Sequence, residues 1–531
     1  MEVAVEMTHE GVPWLRLPEP FNASEWLIDR HVKEGRGRKT AIRTLGRNVT
    51  YLELFETVNR YANAMTELGL RRGDRLLLVL QDLPEFFYVF WGAVKSGVIP
   101  IPLNVMAGAH NFEFSIRHSR CAGIVYSADC AHEVETALKA CPWKPRVALR
   151  QEGQGRSMAS LAGEASAKFQ AVATRADDDC YFLYSSGTTG QPKCIVHAHG
   201  DIAAICQMYS VQVLGACEDD AFFSVPRLFF SYGLGVAMTA PLWVGATAVL
   251  DSRRPTPQTV LEVFRGCRPT VFASVPTFHA LLLASGLLTR DDVRSLRCCI
   301  SAAEAMPAEL HRRWADATGV PVIEGIGSTE GGHIYISNRI GDIRLGAAGK
   351  PVPGYQLRIV DEAGNNLPDG VPGRLLIKGQ AVLRRFWADP ERTARTIVDG
   401  WCDTGDTCVR DADGYYTYCG RSDDMFKVRG RWVSPFEVES TLVQHPKVLE
   451  AAVIGRVDES GLVKPEAWVV LKDSDATSEA AAKEISAFCK NRLPSFKFPQ
   501  WIHVVDSLPK TATGKIQRFK LRMGRQISGA A

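Results

Sequence analysis

The sequence predicts an α/β protein followed by an antiparallel β unit and a compact α+β unit. Three observations predict this. Helical and strand-like patterns alternate from Thr50 through Val320. The texture changes at Gly349, where short strand-like runs sit between Gly, Asp and Pro turns. It changes again after Gly420. At about 150 residues per domain, the 531 residues suggest three or four domain-sized units.

Thr50 to Leu70 reads TYLELFETVNRYANAMTELGL, with apolar residues at helical spacing. The turn Arg71–Arg72–Gly73–Asp74 follows, and RLLLVL from Arg75 to Leu80 is a short apolar run of the kind a buried strand has. Glu85 to Lys95 reads as a helix, and Val98 to Leu103 as a strand with prolines at its end. Such alternation implies a sheet covered on both faces. Leu228 to Leu250 carries no charge and is long enough to span a bilayer. Gly233, Gly235, Pro241 and Gly245 interrupt it, so it reads as a buried loop, a helix and a strand, and no membrane association is expected. In the antiparallel unit, strands are expected at Gln356–Val360, Arg374–Lys378 and Tyr415–Tyr418, with turns at Asp361–Gly364 and Asp411–Gly414. The last unit is expected to end near Arg525.

Composition narrows the function classes. Hydrophobic residues make up 46% and charged residues 23%, which supports a sizeable core and excludes a disordered, collagen-like or coiled-coil chain. Lys plus Arg is 62 against 59 Asp plus Glu, so a net charge of +3 gives no electrostatic case for nucleic-acid binding. The 14 cysteines form no CxxC pair, and adjacent Cys298 and Cys299 lack metal-ligand spacing. They read as reduced thiols in a cytoplasmic protein. Glu2, Glu6 and Glu10 occupy a beginning without a basic segment followed by an apolar one, so no secretory signal is expected.

The clearest chemistry lies in YFLYSSGTTGQPK, residues 181–193. An apolar strand delivers the chain into a loop whose Gly187 and Gly190 let the backbone approach an anion. Ser185, Ser186, Thr188 and Thr189 offer hydroxyls, and Lys193 offers a point charge. It is not a Walker A loop, because Pro192 stands where that motif needs glycine. Alone, such a loop is commonly a solvated connection. Here four further motifs accompany it: Gly327–Ser328–Thr329–Glu330; Trp401–Cys402–Asp403–Thr404–Gly405–Asp406; Gly420–Arg421–Ser422–Asp423–Asp424, running on to Lys427 and Gly430; and Pro509–Lys510–Thr511–Ala512–Thr513–Gly514–Lys515.

With these five motifs in this order, the chain resembles the adenylate-forming superfamily of acyl-CoA synthetases, adenylation domains and luciferases over essentially its whole length. The resemblance implies a large N-terminal domain, residues 1–422, of two α/β layers plus a β-barrel-like part at about 349–420. A small mobile α+β domain, residues 423–531, is hinged to it at Asp423. It implies that a carboxylic acid reacts with ATP to give an acyl-adenylate, and that a thiol then displaces AMP. Glu330 is the implied Mg²⁺ ligand. Thr329 would bond the α-phosphate, and the Ser185–Lys193 loop would hold the other phosphates. Asp406 would accept both ribose hydroxyls, helped by Arg421. Ala303, Glu304, Glu324, Gly325, Ile326 and Ser328 would frame the nucleotide. Lys515 would bridge the carboxylate and α-phosphate during adenylation. In the second step the C-terminal domain would rotate and the Lys427–Gly430 loop arrive, with Arg429 and Gly430 beside CoA.

The segment RLFFSYGLG, Arg227 to Gly235, looks like the benzoate-CoA ligase branch, as do Gly325–Ser328, Tyr355–Arg358, Lys427–Pro435 and the PKTATGKIQRFK end. Many relatives hold a histidine at the position of Phe230. By matching positions, Phe230, Ser231, Tyr232, Ala302, Gly327, His333 and Ile334 would line a pocket for a flat ring. Ser231 and His333 would favour a substituted benzoate, such as anthranilate or a hydroxybenzoate, over plain benzoate. The alternative for these two is a self-bonded serine and a satisfied core histidine. The chain departs from the family at Cys194, Ala303, Asp403 and Arg429. The leading expectation is an aryl-acid:CoA ligase using ATP, Mg²⁺ and CoA. The alternatives are a free-standing adenylation enzyme loading an acyl carrier protein and a catalytically inactive nucleotide-binding relative. An amino-acid adenylation enzyme would place an Asp in the Phe229–Ser231 region, which this chain lacks.

Overall fold

The computed structural model describes residues 3–153, 155–185, 192–429, 431–472, 478–510 and 516–528. The expected alternation builds two α/β layers. In the first, Ile99–Pro102, Arg75–Val79, Gly123–Tyr126 and Val147–Arg150 lie side by side, all parallel. Ile99–Pro102 takes the edge, which suits a strand whose Pro100 and Pro102 have no N–H to give.

The helix Tyr51–Glu67 opens on a reciprocal cap. The Thr50 hydroxyl accepts the Glu53 N–H at 3.2 Å while the Glu53 carboxylate accepts the Thr50 N–H at 2.7 Å. Its buried Tyr51, Leu54, Val58, Tyr61 and Met65 repeat every three or four residues. They face the helix Pro84–Lys95, which is apolar nearly all round and buried accordingly. Gly92 permits this approach, because a Cβ there would stand 2.8 Å from Cβ of Tyr61.

The second layer is a nine-stranded sheet. Its parallel centre runs Thr40–Arg43, Thr247–Val249, Ala221–Ser224, Val271–Ser274, Cys298–Ser301 and Val322–Gly327. Antiparallel strands close both edges: Asn48–Thr50 at one, Ile334–Ser337 and Lys350–Pro351 at the other. The uncharged stretch is a loop, the helical run Ser231–Leu234, Gly235–Thr239 and Ala240–Val244, and the strand Thr247–Val249. No helix among the described residues is long and apolar enough to cross a membrane.

The third unit is antiparallel, in the order Tyr355–Val360, Gly373–Gly379, Trp401–Arg410, Ile397–Val398, with Tyr416–Arg421 also on Trp401–Arg410. The last unit packs the helices Pro435–Val443 and Ser478–Lys490 on a three-stranded sheet around Val438, Leu442, Val453, Val469 and Ile485. Arg518 ties its final helix to Glu439 at 2.7 Å and to Asp424 at 3.4 Å. All 14 cysteines are free, and all but Cys217 and Cys419 are buried. The described residues contain no His, Cys, Asp and Glu group arranged to hold a metal.

Candidate functional site

Three parallel strands end together. Ser274 lies beside Ser301 and Ser301 beside Glu324. Open α/β sheets bind ligands beyond such carboxyl ends. Ala302, Ala303 and Glu304 follow the middle strand, and Gly325 to Glu330 continue the outer one. The chain then returns through Ile334–Ser337, with Gly327 opposite Ile334 and Ile326 opposite Ile336. A Cβ on Gly327 would stand 2.5 Å from the His333 carbonyl oxygen, so this turn requires glycine. Ala303 takes a left-handed φ of +72°, the conformation the glycine common in relatives adopts without strain. The Glu304 carboxylate accepts the Thr277 hydroxyl at 2.7 Å. Glu324 is buried; one oxygen accepts the Met306 N–H at 2.9 Å and the other has no partner among the described residues. Burial pushes its carboxyl up to about 8.

The hairpin Asp179–Ser185 and Lys193–Ala198 carries the loop expected to receive phosphates. Its tip, with Ser186, Gly187, Thr188, Thr189 and Gly190, lies outside the described residues, as do Gly430 and Lys515. The described Ser185 hydroxyl is buried without a partner among the described residues. Lys193 reaches across to pair with Glu330. Burial acts to raise the Glu330 carboxyl, but the Lys193 ammonium outweighs it and holds the group below its ordinary range. The Thr329 hydroxyl lies 3.3 Å from that of Ser231, which joins the phosphate turn to the expected ring pocket. Ser328 caps the same turn by accepting the Gly331 N–H at 3.0 Å.

Asp406 and Arg421 face each other across an antiparallel pair, 3.0 Å apart. Arg421 also donates to the Thr404 carbonyl at 2.9 Å. The departure at Asp403 has a local reason. Its carboxylate accepts the Gly405 N–H at 2.8 Å and pairs with Arg374 at 2.6 Å, so the turn carrying Asp406 is braced from a neighbouring strand.

At the ring end, Phe230 precedes the helical run that carries Ser231 and Tyr232. The Tyr232 hydroxyl lies 3.0 Å from both the Ser274 and Ile300 carbonyls, which fixes the ring over the strand ends. Ala302, His333 and Ile334 are buried. His333 Nε2 lies 3.4 Å from the Tyr232 carbonyl. A carbonyl only accepts, so Nε2 carries the hydrogen. Burial lowers the ring to about 4, so it stays neutral, and Nδ1 is left as an acceptor with no partner among the described residues. Gly235 makes room for it, because a Cβ there would stand 2.2 Å from His333 Cδ2.

The site also uses residues that sequence patterns did not single out. Asp82, on a loop of the other sheet, accepts the Leu228 N–H at 3.3 Å and sits 3.7 Å from Arg227, anchoring the loop before Phe230. His197 lies against the Thr329 carbonyl at 2.9 Å. The only sequence signal for His197 is a polar ring in a run of buried residues, Cys194 to Ala198. Asp423 sits between the strands Tyr416–Arg421 and Phe426–Val428, where the chain passes into the last unit. Arg429 follows at a left-handed φ of +50°, and Lys427 lies 3.9 Å from Glu362.

The chain is 44% identical over 512 residues to a benzoate–CoA ligase of Thauera aromatica, covering 96% of this chain and 97% of the other. Among solved structures it resembles the anthranilate CoA ligase AuaEII in complex with anthranoyl-AMP, with a TM-score of 0.92 and 40% identity over 97% of this chain and 99% of the other. It also resembles a benzoate CoA ligase from Burkholderia xenovorans LB400, with a TM-score of 0.88 and 41% identity over 94% of this chain and 100% of the other. With a match to the AMP-binding enzyme model over residues 28–387 and to the AMP-binding enzyme C-terminal domain over 437–515, the chain belongs to the AMP-binding enzyme family.

Proposed function

We propose that this chain is an ATP-dependent aryl-acid:CoA ligase. The observation that carries this reading is near full-length likeness to a benzoate–CoA ligase, joined to the Lys193–Glu330 and Asp406–Arg421 pairs within its motifs. In the first half-reaction an aryl carboxylate oxygen attacks the α-phosphorus of ATP. The bond from that phosphorus to the bridging oxygen breaks, and pyrophosphate leaves with the electron pair. In the second, the CoA sulfur attacks the acyl carbon, the bond to AMP breaks, and the thiol proton passes to solvent.

The first step joins two anions, so neutralising and positioning them is most of the task. Lys193 and the loop before it would receive the β- and γ-phosphates. Thr329 would donate to an α-phosphate oxygen. Asp406 would accept the ribose hydroxyls, its orientation set by Arg421. Glu330 is a buried carboxylate kept ionised, which is the hard oxygen donor that Mg²⁺ takes, and Mg²⁺ arriving with ATP would neutralise phosphate charge there. Lys515 would bridge the two reacting anions. Rotation about Asp423 would then exchange it for the Lys427–Gly430 loop and CoA. A cytoplasmic location belongs to the same reading, supported by the free, mostly buried cysteines.

Within aryl acids, the reading favours a ring with a hydrogen-bond donor. Leaving the His333 Nδ1 lone pair buried and unmade costs about 1–3 kcal/mol, which an amino or hydroxyl substituent would recover. The test is pyrophosphate release from ATP over benzoate, anthranilate, the hydroxybenzoates, a phenylalkanoate, a long fatty acid and phenylalanine, with and without CoA. The expected result is one dominant benzoate-type acid and CoA-driven turnover to a thioester. Adenylation without thioester formation moves the function to carrier-protein loading. No release with any benzoate overturns the pocket.

A further inference from the structure

His197 is fully buried in the strand Lys193–Ala198, yet it belongs to none of the five motifs. Its Nε2 lies 2.9 Å from the Thr329 carbonyl oxygen, and its Nδ1 lies 3.3 Å from Asp201 Oδ2. One ring nitrogen thus faces a backbone carbonyl and the other a carboxylate. Asp201 is buried too. It also accepts the Ala198 N–H at 2.9 Å and has Arg384 at 4.0 Å, so the carboxylate is held from its own helix start and from a distant segment. The His197 ring stacks on Tyr181 of the neighbouring strand at 5.0 Å between centroids. Its position is therefore fixed on three sides.

The strand gives this placement its meaning. Lys193 and His197 are four residues apart, so they share one face of it. Lys193 pairs with Glu330, and His197 donates to the backbone of Thr329, the residue before it. One strand thus grips both members of the Thr-Glu turn, one through its side chain and one through its carbonyl. On the far side the turn is held by the Leu383 N–H, 2.7 Å from the Glu330 carbonyl, and by the Tyr355 hydroxyl, 2.7 Å from the Gly331 carbonyl.

We propose that His197, oriented by Asp201, is a positioning residue for adenylation: it fixes the Thr329 carbonyl and so locks the Thr-Glu turn in register with Lys193 on its own strand. This rests on the ligase reading. A single buried hydrogen bond of this kind contributes little to affinity. Its value is geometric, because a displacement of about 1 Å at a reacting centre costs about 100-fold in rate.

The experiment compares wild type, His197→Ala, His197→Gln and Asp201→Asn. It measures benzoate-dependent pyrophosphate release, thioester formation from preformed benzoyl-adenylate and CoA, and melting temperature. His197→Ala is expected to lower adenylation kcat by about 30- to 100-fold while the KM values for ATP and benzoate shift less than about threefold. Thioester formation from the preformed adenylate, which needs no pyrophosphate departure, is expected within about threefold of wild type. His197→Gln keeps an N–H donor near the same depth and is expected to recover adenylation to within about fivefold. Asp201→Asn is expected to fall between the two. Adenylation by His197→Ala at the wild-type rate overturns the proposal. So does equal loss of both half-reactions together with a collapsed melting temperature in all three variants, which marks a structural residue. If His197→Ala does not fold, His197→Gln and Asp201→Asn decide: a selective adenylation defect in Asp201→Asn absent from His197→Gln supports the role, and equal defects in both overturn it. A wild-type chain that releases no pyrophosphate with any aryl acid overturns the ligase reading instead, and the role of His197 in adenylation with it.

Discussion

The end of the site proposed to hold ribose and phosphate and the end proposed to hold the ring are built differently. At the first, every described charged group is engaged within the protein: Asp406 with Arg421, Glu330 with Lys193, Asp403 with Arg374. At the second, a neutral group is left open: His333 Nδ1 has no partner among the described residues. The difference follows from the cost of solitude. A buried unpaired charge is penalised by several kcal/mol, whereas a buried neutral donor or acceptor costs about 1–3 kcal/mol. Buried charged groups need a partner within the protein itself. Neutral groups can be left open for a ligand that completes them.

The largest effect should come from breaking the charged end. Asp406→Ala removes the carboxylate that pairs with the half-buried Arg421, which keeps its bond to the Thr404 carbonyl. The expectation is a KM for ATP raised by about 100-fold or more, read by ATP titration of pyrophosphate release, with the KM for the acid little changed. An unchanged KM for ATP would show that the pair serves the fold alone.

Glu324 blurs the division, because it is an ionisable group with an open oxygen. Its carboxyl lies near 8 in the folded chain against an ordinary 4.5. Between those values the folded state holds a proton that the unfolded chain has released. Stability attributable to this residue therefore falls as pH rises through that window, by up to about 1.4 kcal/mol per pH unit. Glu324→Gln, always neutral, should lose this slope. Melting curves at several pH values test it, and parallel wild-type and variant profiles would place Glu324 in the permanently charged class.

His333→Leu probes the neutral end directly. Preference for anthranilate or a hydroxybenzoate over benzoate, as a ratio of kcat/KM, should drop about tenfold while the KM for ATP holds. A uniform loss across all acids would mean that the ring only fills space. The smallest effect belongs to backbone geometry. Ala303→Gly releases the left-handed strain at φ +72° and should stabilise the chain by about 1 kcal/mol, visible as a melting point raised by a few degrees.

Much of this was readable in the sequence where the signal is local. The helix expected over Thr50 to Leu70 forms as Tyr51–Glu67, and the strand expected to lead into the Ser185–Lys193 loop forms as Asp179–Ser185. What escaped is contact over long separations. Asp403 reads as an oddity until Arg374, 29 residues away, is seen beside it, and His197 meets Thr329 across 132 residues. Ser231 illustrates the same limit. Its residue type suggested a reader of ring substituents, and the residue type alone gave no sign that its hydroxyl lies 3.3 Å from that of Thr329, 98 residues away. Periodicity reports which face is buried, and no pattern within a strand reports what the buried face meets.

The uneven burial of the cysteines supplies a native reporter. Cys217 is exposed, whereas burial pushes the Cys419 thiol up to about 11 and leaves it only partly accessible. A thiol-directed dye should therefore mark Cys217 first and Cys419 slowly. The Cys419 carbonyl accepts the Ser434 hydroxyl, so this slow site spans the seam between the antiparallel unit and the last one. Once Cys217 is blocked, the labelling rate at Cys419 becomes a clock for the opening of that seam, and its acceleration with ATP or CoA would test the proposed rotation of the C-terminal unit without an engineered probe.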